Sequence, residues 1–310
     1  MLVVRSHRSH LDTDNHILVL GLGYTGCALV NYLAHRKPEW AVTGTTRGNR
    51  KHIQFPIHDR VRVLEDVDFR QDSMVSWDMR ECDTVTHIVS TIPPSRIECH
   101  DPVLENIVQH RSTVFSLVEW MGYISTTSIY GDHQGSQVWE DSEVKQRPSG
   151  RYDAEQEWLN CVEGHIFRCG GIYGPYRNVL SSVRASLKDP MRLLSKSQLA
   201  RRRQSVTFRC HVYDVCQSIQ HSMEKPHPGS IYNIVDDDPS GRLDVEDYAY
   251  ITYFRMSPPV RDPEPLLPAE KIVMNTKIKQ ELNVTLQYPT YKQGLDALVF
   301  QHDLRPFTFI

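Results

Sequence analysis

The stretch His16-Ile17-Leu18-Val19-Leu20-Gly21-Leu22-Gly23-Tyr24-Thr25-Gly26 decides the fold. An apolar run ends in glycines spaced G-x-G-x-x-G, and a helical pattern through Ala28, Leu29, Val30, Tyr32 and Leu33 follows at once. Strand, tight turn and helix start in that order form the context of a dinucleotide fingerprint. Gly21 permits the sharp turn, Gly23 lets a pyrophosphate approach bare backbone, and Gly26 lets the helix pack on the strand. The free N–H groups of the first helical turn, where Tyr24 and Thr25 stand, favour phosphate, as does the helix dipole. Gly21, Gly23, Tyr24, Thr25 and Gly26 are therefore candidate cofactor-binding residues.

The chain has 310 residues, enough for one large α/β domain or a domain with a smaller lobe. Its net charge is −3 and its cations are scattered, apart from Arg201-Arg202-Arg203. That balance gives no reason to expect nucleic acid or an anionic membrane surface as partner. No apolar run approaches the roughly 20 residues that span a bilayer. Seven cysteines, with no C-x-x-C pair, read as free and mostly buried thiols of a reducing compartment. Neither a disulfide frame nor a zinc site is expected. Residues 1–15 carry no acid before Asp12. They read as a ragged N-terminal extension of a cytoplasmic protein, with a targeting remnant or an extra edge segment as the alternatives.

After the first helix, Trp40-Ala41-Val42-Thr43-Gly44-Thr45-Thr46-Arg47 reads as a second strand. Its end lies about 20 residues past the fingerprint, where NAD-specific proteins place an acidic side chain on the ribose 2′-hydroxyl. Here Thr45, Thr46 and Arg47 occupy those positions, and a guanidinium suits a 2′-phosphate. The sequence therefore favours NADP over NAD, with Arg47 as candidate ligand and a solvated loop cation as the plain alternative. Arg60–Leu64 reads as a third strand, followed by Asp66 and Asp68 as turn formers or adenine contacts. Thr84–Ile92 reads as a further strand, stopped by Pro93-Pro94. Ser90 and Thr91 near its carboxyl end suit the crevice where cofactors lie, and His87 reads as a packed core histidine. Asp101-Pro102 reads as a helix start. The helix is expected to run through Leu104, Ile107, Val108 and Val114 to Trp120.

Next comes Gly122–Asp132, a strand ending S-T-T-S-x-Y-G-D. It resembles the strand before the active site in extended short-chain dehydrogenase/reductases, the NAD-dependent epimerase/dehydratase group. Arg168–Pro175 looks like that family's R-x-x-x-x-Y-G-P strand end, His211–Asp214 like its H-V-x-D helix start, and Ile231–Ile234 like its Y-N-[IV] strand. The resemblance runs from residue 16 to about 298. It implies a doubly wound parallel sheet, a Rossmann α/β fold, with a small C-terminal substrate lobe. Residues 16–175 with 207–236 would form the NAD(P)-binding domain, and 176–206 with 237–310 the lobe. A small-molecule substrate is implied, sugar-like in many relatives, and a homodimer is compatible with this reading.

In that family a Ser or Thr polarises the reacting oxygen, and a Tyr four residues before a Lys moves the proton. Thr126 matches the Ser/Thr position. Tyr152 lies near the Tyr position, but Gln156 stands where the Lys would follow. A second register anchors on Ala154-Glu155-Gln156 and puts Arg147 at the Tyr position and Arg151 at the Lys position. The stretch around Pro148-Ser149-Gly150-Arg151 looks like atypical members that lack the pair. Without a lysine, Tyr152 lacks the neighbour that would make it a good base at neutral pH. Thr126 and Tyr152 are the candidate catalytic residues of an oxidoreductase or epimerase. A nucleotide-binding sensor or scaffold with little turnover is the alternative. Arg201-Arg202-Arg203 is either an anion clamp in the lobe or an exposed basic loop. Prolines from Pro258 to Pro268 mark a loop, Asn275 is expected to cap a helix through Ile278 and Leu282, and a last helix follows Tyr288.

Overall fold

A computed structural model of the chain describes residues 15–53, 55–69, 83–94, 101–110, 116–145, 150–189, 193, 195–261 and 265–300. The chain opens with β1 (His16–Leu20), α1 (Tyr24–Arg36), β2 (Ala41–Thr45), β3 (Arg62–Leu64) and β4 (His87–Ser90). Then come α2 (Pro102–His110), β5 (Trp120–Thr126), β6 (Gln137–Val138), α3 (Arg151–Val162), β7 (His165–Cys169) and β8 (Gly171–Tyr173). The remainder is α4 (Val179–Lys188), α5 (Lys196–Arg203), β9 (Arg209–His211), α6 (Val212–Glu224), β10 (Ile231–Ile234), α7 (Arg242–Tyr253), β11 (Ile272–Val273), α8 (Thr276–Glu281) and α9 (Tyr291–Phe300).

Seven strands pair in parallel in the order β3-β2-β1-β4-β5-β7-β10. The chain winds outward from β1 to β3, then returns to β4 on the other side of β1. That reversal opens a crevice beyond the carboxyl ends of β1 and β4, where Leu20 pairs with Ser90. β1 is buried along its whole length, as a strand covered on both faces must be. Ile17 and Val19 face a layer holding Leu29 and Leu33 of α1, Val215 and Ile219 of α6, and Ile278 of α8. Leu18 and Leu20 face Val103, Leu104 and Ile107 of α2 and Ala154, Trp158 and Val162 of α3. A separate apolar cluster joins α4, α7 and α9 through Val179, Leu180, Val245, Ala249, Tyr291 and Leu295.

Two buried histidines inside the sheet are paired, as burial demands. His16 bridges Thr84 Oγ1 at 2.8 Å and Thr43 Oγ1 at 2.9 Å, and burial lowers its pKa. His87 is buried against Trp40 and Trp120, with Thr86 Oγ1 at 2.8 Å. Asp101 Oδ1 accepts the Val103 amide at 2.9 Å, so it does start α2.

Some expectations need correction. Trp120 opens β5 rather than ending a helix, and its amide and that of Glu119 donate to the Thr86 carbonyl. Pairing with β4 and stacking on His165 at 4.9 Å override the apolar spacing that continued the helix. Val114 lies outside the described residues, as do Pro263 and the 1–15 extension except Asn15. The third and fourth strands are shorter than read, beginning at Arg62 and His87. Asn275 does stand before α8, but its side chain donates to the Val235 carbonyl and Asp237 Oδ1 at 2.8 Å each instead of capping. Arg201–Arg203 form the last turn of α5, not a loop. Cys161 is exposed, while Cys27, Cys169, Cys210 and Cys216 are buried. Among the described residues, no helix is long and apolar enough to cross a membrane.

Candidate functional site

The glycine turn after β1 is braced from the ends of two neighbouring strands, β2 and β4. Gly21 has φ +93°, a backbone that favours glycine, and its N–H donates to Thr45 Oγ1 at 3.1 Å. Leu22 N–H donates to the Thr45 carbonyl at 2.8 Å. Thr91 Oγ1 donates to the Gly21 carbonyl at 2.7 Å. A Cβ at Gly26 would run into that same carbonyl oxygen, so the helix can approach only without one. At Gly23 a Cβ would meet no protein atom within 4 Å. A side chain there would therefore clash with nothing in the fold and would extend into the open space in front of the turn. These features fit a dinucleotide diphosphate lying against the start of α1.

A cavity of about 880 Å³ opens there, lined by Gly21, Gly23, Tyr24, Thr46, Arg47, Asp68, Thr91 and Arg177 among others. The turn residues and Arg47 are thus brought together with Thr91. Thr25 is half-buried on the first turn of α1, and Ser90 is fully buried inside β4; neither lines this cavity. Thr45 is spent on bracing the turn. Asp66 takes a left-handed φ of +57°, as a turn former, while Asp68 is on the cavity wall.

A second cavity, of about 650 Å³, lies between the carboxyl ends of the sheet and the α4–α7–α9 cluster. Thr126, the last residue of β5, lines it with Thr127 and Ser128. Thr126 Oγ1 accepts the Ser128 amide at 3.2 Å and lies 3.1 Å from Ser128 Oγ. Five cations line the same cavity, namely Arg177, Arg201, Arg209, Arg242 and Lys271, against one carboxylate, Glu270. Arg242 is partly neutralised by Glu246 at 3.0 Å. Lys271 is buried, donates to the Gly131 carbonyl at 3.0 Å and faces Glu270 at 3.7 Å; burial lowers its pKa.

The register of α3 follows from a buried ion pair. Glu155 and Arg168 meet at 2.8 Å with side chains 0% and 2% exposed. Arg168 also donates to Tyr130 Oη at 2.9 Å, and Tyr130 donates to Asn233 Oδ1 at 2.7 Å. Tyr130 is therefore a structural tyrosine, with burial pushing its pKa up to about 12. One turn before Glu155, Arg151 points at the end of β5 and donates to the Ile124 carbonyl at 3.4 Å. Tyr152, the next residue, is half-buried and lines neither cavity. Arg147, Pro148 and Ser149 lie outside the described residues. Among the described residues, no group of three or more His, Cys, Asp or Glu could hold a metal.

Sequence reading missed Arg177, Arg209 and Lys271. Arg177 stands two residues past the Y-G-P motif, a signal that was available. Lys271 carried none, since its place depends on pairing of the two-residue strands β6 and β11.

The model of the NAD dependent epimerase/dehydratase family matches residues 17–235. No curated protein matches the chain. Among solved structures, a functionally unknown conserved protein from Silicibacter pomeroyi DSS is 31% identical, with a TM-score of 0.71, over 93% of this chain and 99% of that one. A dTDP-glucose 4,6-dehydratase from Bacillus anthracis in complex with NAD shares 19% identity and a TM-score of 0.72, over 91% and 94% of the two chains. A UDP-glucuronic acid 4-epimerase from Bacillus cereus in complex with NAD shares 16% and 0.66, over 91% and 96%. The last two likenesses are of fold. With the family's model matching 17–235, most of its length, this chain belongs to the NAD dependent epimerase/dehydratase family.

Proposed function

We propose that the protein is a nicotinamide-dependent oxidoreductase or epimerase that acts on a hydroxyl or carbonyl of a small, sugar-like substrate. The observation that carries this reading is the bare Gly23 backbone at the start of α1, opening beside the cavity that Thr126 lines. The nicotinamide would take up or return a hydride. Gly21, Gly23, Tyr24, Thr25 and Gly26 would seat the coenzyme, with Ser90 and Thr91 behind it and Thr126 on the reacting oxygen. The solved dehydratase and epimerase complexes hold NAD. Arg47, at the end of β2 and on the cavity wall, favours NADP for this chain. Arg47→Ala should lower NADP affinity about tenfold and leave NAD affinity within twofold, as read by titration calorimetry. Equal NADP affinity in the two proteins would remove the 2′-phosphate argument.

Tyr152, on the first turn of α3, is proposed as the proton carrier, a role that requires its phenol to turn toward the cavity, since it lines neither one here. The test is hydride transfer with a panel of carbonyl and hydroxyl compounds, comparing wild type, Thr126→Val and Tyr152→Phe. A loss of 10²-fold or more in kcat/KM is expected for each. Turnover untouched by both changes would overturn the catalytic assignment. Arg151 supports a second reading, because an arginine one turn before Glu155 replaces the lysine that would lower the tyrosine pKa. In that reading the protein binds coenzyme as a sensor or scaffold. Coenzyme binding without turnover on any compound would favour it.

A further inference from the structure

Among the described residues, Arg177 alone lines both cavities. A rigid turn sets it there. The Gly174 amide donates to the Arg177 carbonyl at 2.9 Å, and the Arg177 amide donates to the Pro175 carbonyl at 2.8 Å. Asn178, which caps α4, donates to the Gly174 carbonyl at 3.0 Å. Gly174 itself has φ +155°, and a Cβ there would lie 2.8 Å from Tyr24 Oη and from Val212 Cγ1. The turn is thus pressed against α1. Its Arg177 guanidinium lies 5.4 Å from the centroid of the Tyr24 ring, on the first residue of α1. Arg177 is exposed and makes no ion pair among the described residues. An exposed guanidinium beside the residue that opens the phosphate-favouring end of α1, on the wall of both cavities, is placed to meet an anion bound there.

We propose that Arg177 is a shared clamp, holding from the lobe side the diphosphate that the Gly21–Gly26 turn holds from the sheet side. Seating the coenzyme then fixes one wall of the substrate cavity, so that the two ligands reinforce each other's binding. This rests on the coenzyme reading above. The plain alternative is a cation–π staple between turn and helix, which would affect folding and treat all ligands alike.

The discriminating measurement is calorimetric titration of the full chain with NADP, NAD, ADP and adenosine. Wild type, Arg177→Met and Arg177→Lys are compared, with thermal midpoints read in parallel. Arg177→Met should weaken NADP, NAD and ADP about tenfold and adenosine less than twofold. Arg177→Lys should recover part of the loss, because an ammonium supplies charge without the fork. An equal loss for adenosine and ADP, or none for either, overturns the clamp while leaving the coenzyme reading standing. Wild type that binds none of the four overturns both. If Arg177→Met does not fold, Arg177→Lys carries the same comparison, with a threefold or greater loss expected for ADP and none for adenosine.

Discussion

Gly23 and Gly26 are three residues apart and are glycines for opposite reasons. Gly26 lies against the Gly21 carbonyl, so a methyl group there must move backbone. A Cβ at Gly23 would meet nothing, so its absence relieves no contact inside the protein and suits the coenzyme proposed above. Gly26→Ala should therefore destabilise by about 1–3 kcal/mol in urea unfolding, the cost of overpacking. Gly23→Leu should leave the unfolding midpoint nearly unchanged yet weaken NADP and NAD tenfold or more. A Gly23→Leu protein that binds both coenzymes as wild type does would remove the diphosphate from this turn. The packing role of Gly26 could be read from the G-x-G-x-x-G spacing, because helix-on-strand packing is a local demand, while that of Gly23 rests on the proposed coenzyme. The bracing by Thr45 could not, since a hydroxyl at a strand end can face a ligand or its own chain, and only the fold decides.

At the scale of elements, α2 and α3 are joined through one buried carboxylate. Asp101 Oδ1 caps α2, while its Oδ2 accepts the Trp158 indole N–H at 2.7 Å. Asp101→Ala removes the cap and leaves a buried indole donor without its acceptor, so a loss of about 2–3 kcal/mol is expected in urea unfolding. A loss below about 1 kcal/mol would mean that the bridge is dispensable. Glu155 and Arg168 join α3 to β7 with both charges out of water. Breaking such a pair by Glu155→Gln should cost about 3–5 kcal/mol, and the double change Glu155→Leu with Arg168→Met should recover much of it. Equal stability of Glu155→Gln and wild type would contradict the pairing. The Asp101 cap was readable from Asp-Pro alone. Trp120 was not, because an apolar residue at helical spacing is indistinguishable from the first buried residue of a strand until its partner strand is known. The α3 register stayed open for a like reason: Glu155 is fixed by Arg168, which follows 13 residues later and on a different element.

Across the whole molecule, most strands followed from local patterns, while their order in the sheet and the second cavity did not, since pairing joins residues far apart in the chain and the cavity gathers residues from Thr126 to Leu295. Two buried carboxylates, Asp214 and Asp236, bear on stability across the molecule. Asp214 accepts the Gln287 and Tyr288 amides at 2.6 and 3.2 Å, joining α6 to the segment before α9. Asp236 follows β10, beside Arg209. Burial pushes Asp214 up to about 7 and Asp236 up to about 8, the latter against the pull of the Arg209 guanidinium. In the unfolded chain both titrate near about 3.9. The folded state therefore holds more protons between pH 4 and 8, and what these groups contribute is present below 4 and lost as pH rises through 8. Buried His211, His87 and His165 act in the opposite sense, held down to about 3, 4 and 4, so their contribution grows with pH and levels off above the unfolded imidazole pKa of about 6.5. Between pH 7 and 8 the carboxylates dominate: the last of the histidine gain is smaller than their loss, and the first ionisation of unfolded thiols, whose folded counterparts burial holds protonated, adds to the fall. Urea unfolding should show wild-type stability falling over that interval, and Asp236→Asn, which cannot ionise, should flatten the fall by half or more. An identical fall in the two proteins would show that the Asp236 carboxyl is already ionised at pH 7, and that Arg209 outweighs its burial.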